Sequence, residues 1–253
     1  MSQSTALAAD SAEVDGVQWP PSNLWSDEPP LESDFHRDQI DLLIQILRWW
    51  WRDRNDVYVS GNLTVYYNQQ QLKSRDFRGP DFFVVLGTEK KDRRSWAVWD
   101  ENGQYPNLIL EILSRSTRQV DKGPKKTLYQ NIFRTPDYFW FDPDTLAVEG
   151  FHLVDGRYEP IQPTAQGWLW SEQLTLYLGV YESRLRFFTA DGELIPSPEE
   201  RAEQERQRAE QERQRAEQER QRAEQERQRA EQVAQELERL KAQMRSQGMN
   251  PDA

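Results

Sequence analysis

Three side chains in the middle of this sequence have the types and spacing needed for chemistry on a phosphate. Glu111 interrupts the apolar run Leu108 to Leu113 (Leu-Ile-Leu-Glu-Ile-Leu). A carboxylate there demands a partner, because charged groups are buried only when something pairs with them. Asp81 opens a second apolar run, Asp81-Phe-Phe-Val-Val-Leu86, directly after Gly79-Pro80, which places it where a turn hands over to a strand. Lys125 follows Gly123-Pro124, a dipeptide that reads as a helix start with proline at the first helical position. Brought within about 4 Å, two carboxylates repel by about 4 kcal/mol at an effective dielectric of about 20, so a cation is their natural neutraliser. Oxygen-only ligands favour Mg²⁺ or Mn²⁺ over zinc. The plainer alternative is that Glu111 pairs with a structural Lys or Arg inside a sheet, or lies at a wet edge.

Those residues need elements to hold them. The run from Leu108 is bounded by Tyr105-Pro106 and by a Ser/Arg/Thr cluster, which gives it the length of one buried strand. On the following helix Lys125, Leu128, Tyr129 and Ile132 fall at i, i+3, i+4 and i+7. Lys125 is therefore expected on the apolar face toward the sheet, with Lys122 and Lys126 off it. Upstream, Ser33 or Asp34 caps a helix in which Ile40, Leu43, Ile44 and Leu47 recur at helical spacing, followed by Trp49-Trp50-Trp51. Glu32 or His36 at its start either lines the site or caps the helix, and capping is the expectation. Val57 to Ser60, a Gly61-Asn62 turn and Leu63 to Tyr67 carry a hairpin signature. Lys73, Arg75 and Arg78 lie in the loop before Asp81, where they are expected to be solvated rather than to touch phosphates. Beyond come a strand from Tyr138 to Phe141, a hairpin about Asp155-Gly156, and the strands Leu174 to Tyr181 and Arg184 to Phe188. His152 lies in that hairpin with nothing nearby to make it a base, and Trp168 and Trp170 are expected in the core or an interface. Helix, strands, helix, strand suits an α+β or α/β fold, a mixed sheet flanked by helices.

The segments Pro80-Asp81, Glu111-Ile-Leu-Ser114, Asp121-x-x-x-Lys125-x-x-x-Tyr129 and Asp137-Tyr-Phe-Trp-Phe-Asp142 resemble, in one order, the Uma-type restriction endonuclease domain of the PD-(D/E)xK nuclease-like superfamily. The resemblance spans roughly residues 30 to 190. It implies a restriction-endonuclease-like fold and a nucleic-acid substrate, DNA first. It also implies Mg²⁺ or Mn²⁺ held by Asp81, Glu111 and the backbone carbonyl near Ile112, and a catalytic set of Asp81, Glu111 and Lys125. The superfamily's usual lysine lies two residues after the acidic one, where this chain has Leu113; in this family it arrives from the following helix instead. Asp137 stands where relatives more often have Glu.

Composition sets the frame. The 253 residues, 36% apolar and 11% aromatic, fit one globular domain with something added. Residues 1–30 read as a loosely ordered acidic arm, tacked down by Trp19 and Trp25. Residues 31–196 read as the nuclease-like domain with extra C-terminal β-hairpins, 197–247 as a long charged helix and 248–253 as a disordered tail. There are no cysteines and two histidines, too few for a zinc site of the usual kind. The N-terminus lacks a basic segment followed by an apolar stretch, and no apolar run approaches the roughly 20 residues of a membrane span, so a cytoplasmic protein with no membrane partner is expected.

The C-terminal helix starts at Ser197-Pro198-Glu199-Glu200 and repeats RAEQERQ four times from Arg201. Each heptad offers one alanine and, three positions later, a glutamate, which makes a poor zipper. Only Val233, Leu237, Leu240 and Met244 have 4-3-4 apolar spacing. Charge pairs at i,i+3 and i,i+4 support a single solvated helix instead, with a homodimer or protein partner left to its last two heptads. Residues 201–253 carry 12 acidic and 12 basic side chains, so the net charge of −11 belongs to residues 1–200, with 31 acidic against 20 basic. So acidic a body should not bind nucleic acid tightly without specificity. Two functions remain: a metal-dependent phosphodiesterase, or a catalytically weak nuclease-like interaction protein that assembles through its helix. A two-carboxylate glycosidase leaves the lysine unexplained, and no serine lies in a G-x-S-x-G elbow.

Overall fold

The computed structural model describes residues 13–14, 17–18, 33–68 and 79–246. Trp19, Trp25, Glu32, Lys73, Arg75, Arg78 and the tail 248–253 lie outside the described residues. Near the N-terminus β1 (Glu13–Val14) pairs with β2 (Val17–Gln18).

Helix α1 (Asp34–Trp50) is capped by Ser33, whose Oγ accepts the His36 N–H at 3.1 Å. It buries Ile40, Leu43, Ile46 and Leu47 along one face, the stripe expected of a helix laid on a sheet. That sheet has six strands in the order β10-β9-β8-β7-β5-β3: β3 (Val57–Gly61), β5 (Phe82–Leu86), β7 (Leu108–Ile112), β8 (Asp137–Asp142), β9 (Ala147–Val154) and β10 (Arg157–Pro160). Its pairings are antiparallel except that of β7 with β8, so the sheet is mixed as expected. The hairpin joining β9 to β10 turns at Asp155 and Gly156, both at positive φ, as a two-residue turn requires.

The expected hairpin at Gly61-Asn62 does not form. Strand β3 pairs with β5, while β4 (Val65–Tyr66) runs parallel to β6 (Trp96–Ala97). Gly61 is there for close approach: a Cβ would collide with the Asp81 carbonyl oxygen and stand 2.6 Å from Ile40 Cγ2. Asn62, at φ 45°, then carries the chain away from the sheet.

Helix α2 covers residues 118–133 and begins earlier than its Gly123-Pro124 dipeptide suggests. Two wide π turns, Asp121–Lys125 and Tyr129–Phe133, are built into it. The first contains Pro124, which lacks an N–H and whose ring would clash with the carbonyl one α-turn back; widening the turn accommodates both. The widening also shifts the buried face, so Ile132 is 50% exposed and Phe133 is buried in its place. Lys122 and Lys126, expected off the sheet side, rest their ammonium groups 3.4 and 3.2 Å from the ring centroids of Trp140 and Phe151.

The core divides by strand alternation. One face of the sheet, with Phe82, Val84, Leu110, Ile112, Phe139 and Phe141, packs on α1 and on a second sheet of β11 (Leu169–Ser171), β12 (Leu176–Tyr181) and β13 (Arg184–Phe188). The other face, with Phe83, Val85, Ile109, Tyr138 and Trp140, packs under α2 and the β4–β6 pair. Trp168 stacks on Phe188 at 4.0 Å and Trp170 meets Tyr177 edge-on, the packing roles expected of them.

Residues 1–198 and 199–253 form separate compact units. Helix α3 (Pro198–Ser246) has no buried residue, and ion pairs such as Glu203–Arg206 and Glu224–Arg227 lie along it. No helix among the described residues is long and apolar enough to cross a membrane.

Candidate active site

Strand register brings the two sequence-distant carboxylates together. Phe82 pairs with Leu110 in the antiparallel β5–β7 ladder, so one step further Asp81 stands opposite Glu111. The Asp81 peptide N–H donates to Glu111 Oε2 at 3.3 Å, and the Ile112 N–H donates to Asp81 Oδ2 at 2.7 Å. The Ile112 amide thus ties Asp81 to β7. Glu111 shares a sheet face with Ile109 and Leu113, and that face looks toward α2.

Helix α2 supplies the partner that the buried Glu111 demanded. Lys125 Nζ lies 3.1 Å from Glu111 Oε2 and 3.0 Å from Asp121 Oδ1, with its side chain 11% exposed. Tyr129, one turn on, donates its hydroxyl to Glu111 Oε1 at 2.7 Å. Asp121, Lys125 and Tyr129 stand at i, i+4 and i+8, so one helix face delivers all three. From the opposite side of the sheet edge, His36 Nε2 reaches 3.1 Å from Asp81 Oδ2. Capping was the expected role for this end of α1; the His36 backbone N–H does donate to the Ser33 cap, while its ring joins the site.

The cluster holds three carboxylates and one ammonium, with Glu111 fully buried and Asp121 1% exposed. Burial pushes Glu111 well above its ordinary value; Lys125 pulls it back, and Asp81 and Asp121 push it further up. Burial likewise raises Asp121 against the pull of Lys125. Burial alone would lower Lys125, but Glu111, Asp121 and Asp81 more than reverse that, so it stands above its ordinary value and stays cationic. Burial also raises Tyr129 well above its usual range, with Glu111 adding to the effect, so its hydroxyl remains a donor. Apart from its ionic contact with Lys125, neither Asp121 oxygen has a hydrogen-bond partner of good geometry among the described residues.

This donor set is short of positive charge, and that is the test of whether a divalent cation fits. Among the described residues no group of three or more His, Cys, Asp or Glu side chains is arranged to hold a metal ion, so any ion would rest on fewer protein ligands than a structural zinc site uses. An open oxygen site does fit: Mg²⁺-type ions use one or two carboxylates and complete their shell with water and substrate phosphate. Asp81 and Glu111 would be the residues to hold such an ion, with Asp121 beside them.

A buried carboxylate outside the cluster serves the architecture. Asp137 accepts from Ser171 Oγ at 2.6 Å and from the Gln173 N–H at 3.1 Å, and lies 2.7 Å from His152 Nδ1. It ties β8 and β9 to the second sheet. His152, read from sequence as having no notable neighbour, is therefore a member of this tie.

The model of the Uma2 family, described as putative restriction endonuclease, matches residues 24–186. The crystal structure of a putative nuclease belonging to DUF820 from Anabaena variabilis ATCC 29413 is similar at 16% identity, covering 60% of this chain and 77% of that one with a TM-score of 0.39. No curated protein matches.

Proposed function

Since the chain belongs to the Uma2 family, we propose that it is a nuclease that hydrolyses phosphodiester bonds of nucleic acid, DNA first, at the Asp81–Glu111–Lys125 cluster with a divalent cation, Mg²⁺ or Mn²⁺. The observation that carries this reading is Lys125 Nζ held 3.1 Å from the fully buried Glu111, beside a second carboxylate that the strand register sets opposite. Asp81 and Glu111 would hold the cation, which supplies Lewis-acid activation of water and neutralises phosphate charge. Lys125, cationic among carboxylates, would donate to the phosphoryl oxygens as negative charge builds on them. Tyr129 and the Asp81 N–H hold the two Glu111 oxygens from opposite sides, and His36 and the Ile112 N–H fix Asp81. The test compares wild type with Glu111→Gln in Mg²⁺ and Mn²⁺ titration calorimetry and in cleavage of circular DNA. Loss of the metal heat, together with a fall in rate of about 100-fold or more, is expected; full activity in the variant would refute the assignment.

One observation favours a second role alongside. Val233, Leu237, Leu240 and Met244 of α3 are 67%, 51%, 52% and 36% exposed, a short apolar seam suited to a second copy or a protein partner. Deleting residues 199–253 and measuring mass in solution tests it: an unchanged oligomeric state sinks the second-copy version.

A further inference from the structure

A cavity of about 410 Å³ opens at the free edge of the main sheet, between β3, the C-terminal end of α1 and the loop 89–93. Its charge is opposite to that of the rest of the body. Residues 48–56 hold three arginines against two aspartates, and 89–94 hold four basic against two acidic residues, whereas residues 1–200 are strongly acidic. Several of these cations are already matched. Arg93 is clamped by both Glu101 oxygens at 2.6 and 2.9 Å, Arg54 pairs with Asp56 at 2.8 Å, and Lys91 lies 3.7 Å from Glu89.

Arg48 and Lys90, which both line the cavity, have no carboxylate partner among the described residues. The Arg48 guanidinium is pinned through Nε and Nη2 to the Val59 carbonyl at 3.2 and 2.8 Å, which orients the fork without neutralising it. Asp92 is the one acidic side chain in the lining. Trp51 and Tyr58 close the back of the cavity, each 7% exposed, with the Arg54 and Arg93 guanidinium groups over their rings at 5.1 and 4.6 Å.

We propose that this cavity docks the phosphodiester backbone of a nucleic-acid strand whose scissile phosphate lies at Glu111, an inference that rests on the nuclease reading above. An oriented guanidinium and an unpaired ammonium match the charge and acceptor geometry of backbone phosphates. The repulsive remainder of the body restricts where a strand settles. The spacing also suits one strand. Lining residues Ser60 to Val57 pair with Phe83 to Leu86, two to five residues along β5 from Asp81, or about 7–17 Å at ~3.3 Å per residue. Two strand spacings of about 4.8 Å also separate β3 from Glu111 on β7, so the span is about 12–19 Å, or about three to six nucleotides at ~3.4 Å of rise per nucleotide.

The test uses the full chain carrying Glu111→Gln, so that a labelled 12-mer, single-stranded or duplex, is bound without turnover and followed by fluorescence anisotropy across a salt series. Adding Lys90→Glu with Lys91→Glu, or Arg48→Gln, is expected to weaken binding at least tenfold. The charge reversal should also lower the salt slope by about 1, the value for the lost Lys90 phosphate contact. Thermal melts control for folding, and the lysine pair is exposed, so that variant keeps the fold if Arg48→Gln does not. Wild-type-like affinity and slope in the folded variants would overturn the docking site, as would failure of the parent to bind any 12-mer. Hydrolysis of bis(p-nitrophenyl) phosphate by the wild type, too small to span site and cavity, reports separately on the nuclease reading.

Discussion

Replacing Lys125 by methionine should destabilise the globular unit in a pH-dependent way. The substitution removes the ammonium between Glu111 and Asp121 and leaves a side chain of similar length. Taking one partner from a buried pair costs about 3–5 kcal/mol, because the other charge is stranded. Here the stranded groups can take up a proton instead. Glu111 and Asp121 are already raised above their ordinary 4.5 and 3.8 by burial, and losing Lys125 raises both further. A group raised in the folded state contributes stability below its unfolded value and loses it as pH climbs through the folded one. The deficit relative to wild type should therefore be small near pH 5 and grow toward pH 8. One extra proton retained by the folded variant over those three pH units corresponds to about 4 kcal/mol, at about 1.4 kcal/mol per unit. Urea denaturation followed by tryptophan fluorescence reads this directly. All ten tryptophans fall between Trp19 and Trp170 and α3 has none, so the signal reports the globular unit alone. A deficit below about 1 kcal/mol at pH 8, or one equal at both pH values, would refute the charge assignment.

Two further changes probe the supports of the same cluster. Tyr129→Phe deletes the 2.7 Å hydrogen bond to Glu111 Oε1 and should cost about 1.5–3 kcal/mol, the range for a bond to a charged group; the same denaturation experiment should show the loss widening above neutral pH. Gly61→Ala places a methyl group against the Asp81 carbonyl and Ile40 and should cost about 1–3 kcal/mol by overpacking. Because it presses on the residue that would hold the cation, calorimetric metal affinity should fall with stability, and an unchanged melting temperature would contradict the close approach.

Sequence by itself determined the parts governed by local rules. Ser33 and Pro198 start their helices as capping chemistry dictates. Asp155-Gly156 turns its hairpin, and the RAEQERQ repeat makes a solvated helix because its pairing is internal to four residues. Glu111 could be singled out because a carboxylate in an apolar strand is costly anywhere, and Lys125 because it shares a helix face with Tyr129. Asp121 lies before the helix start that Gly123-Pro124 signals, so its place on that face came only with the structure. Only the tertiary structure decided the rest. The partner of β3 depends on which strand reaches its open edge, a non-local choice that no turn signal encodes. The meeting of His36 with Asp81 depends on how α1 crosses the sheet. The first π turn in α2 arises where Pro124 must fit the helix, and the two turns together exchange Ile132 for Phe133 in the core in a way that a fixed 3.6-residue period cannot anticipate. The charge balance of the site likewise emerges only in space, since Asp81, Glu111, Asp121 and Lys125 span 45 positions and their burial, which sets their protonation, exists only once the sheet and α2 have closed over them.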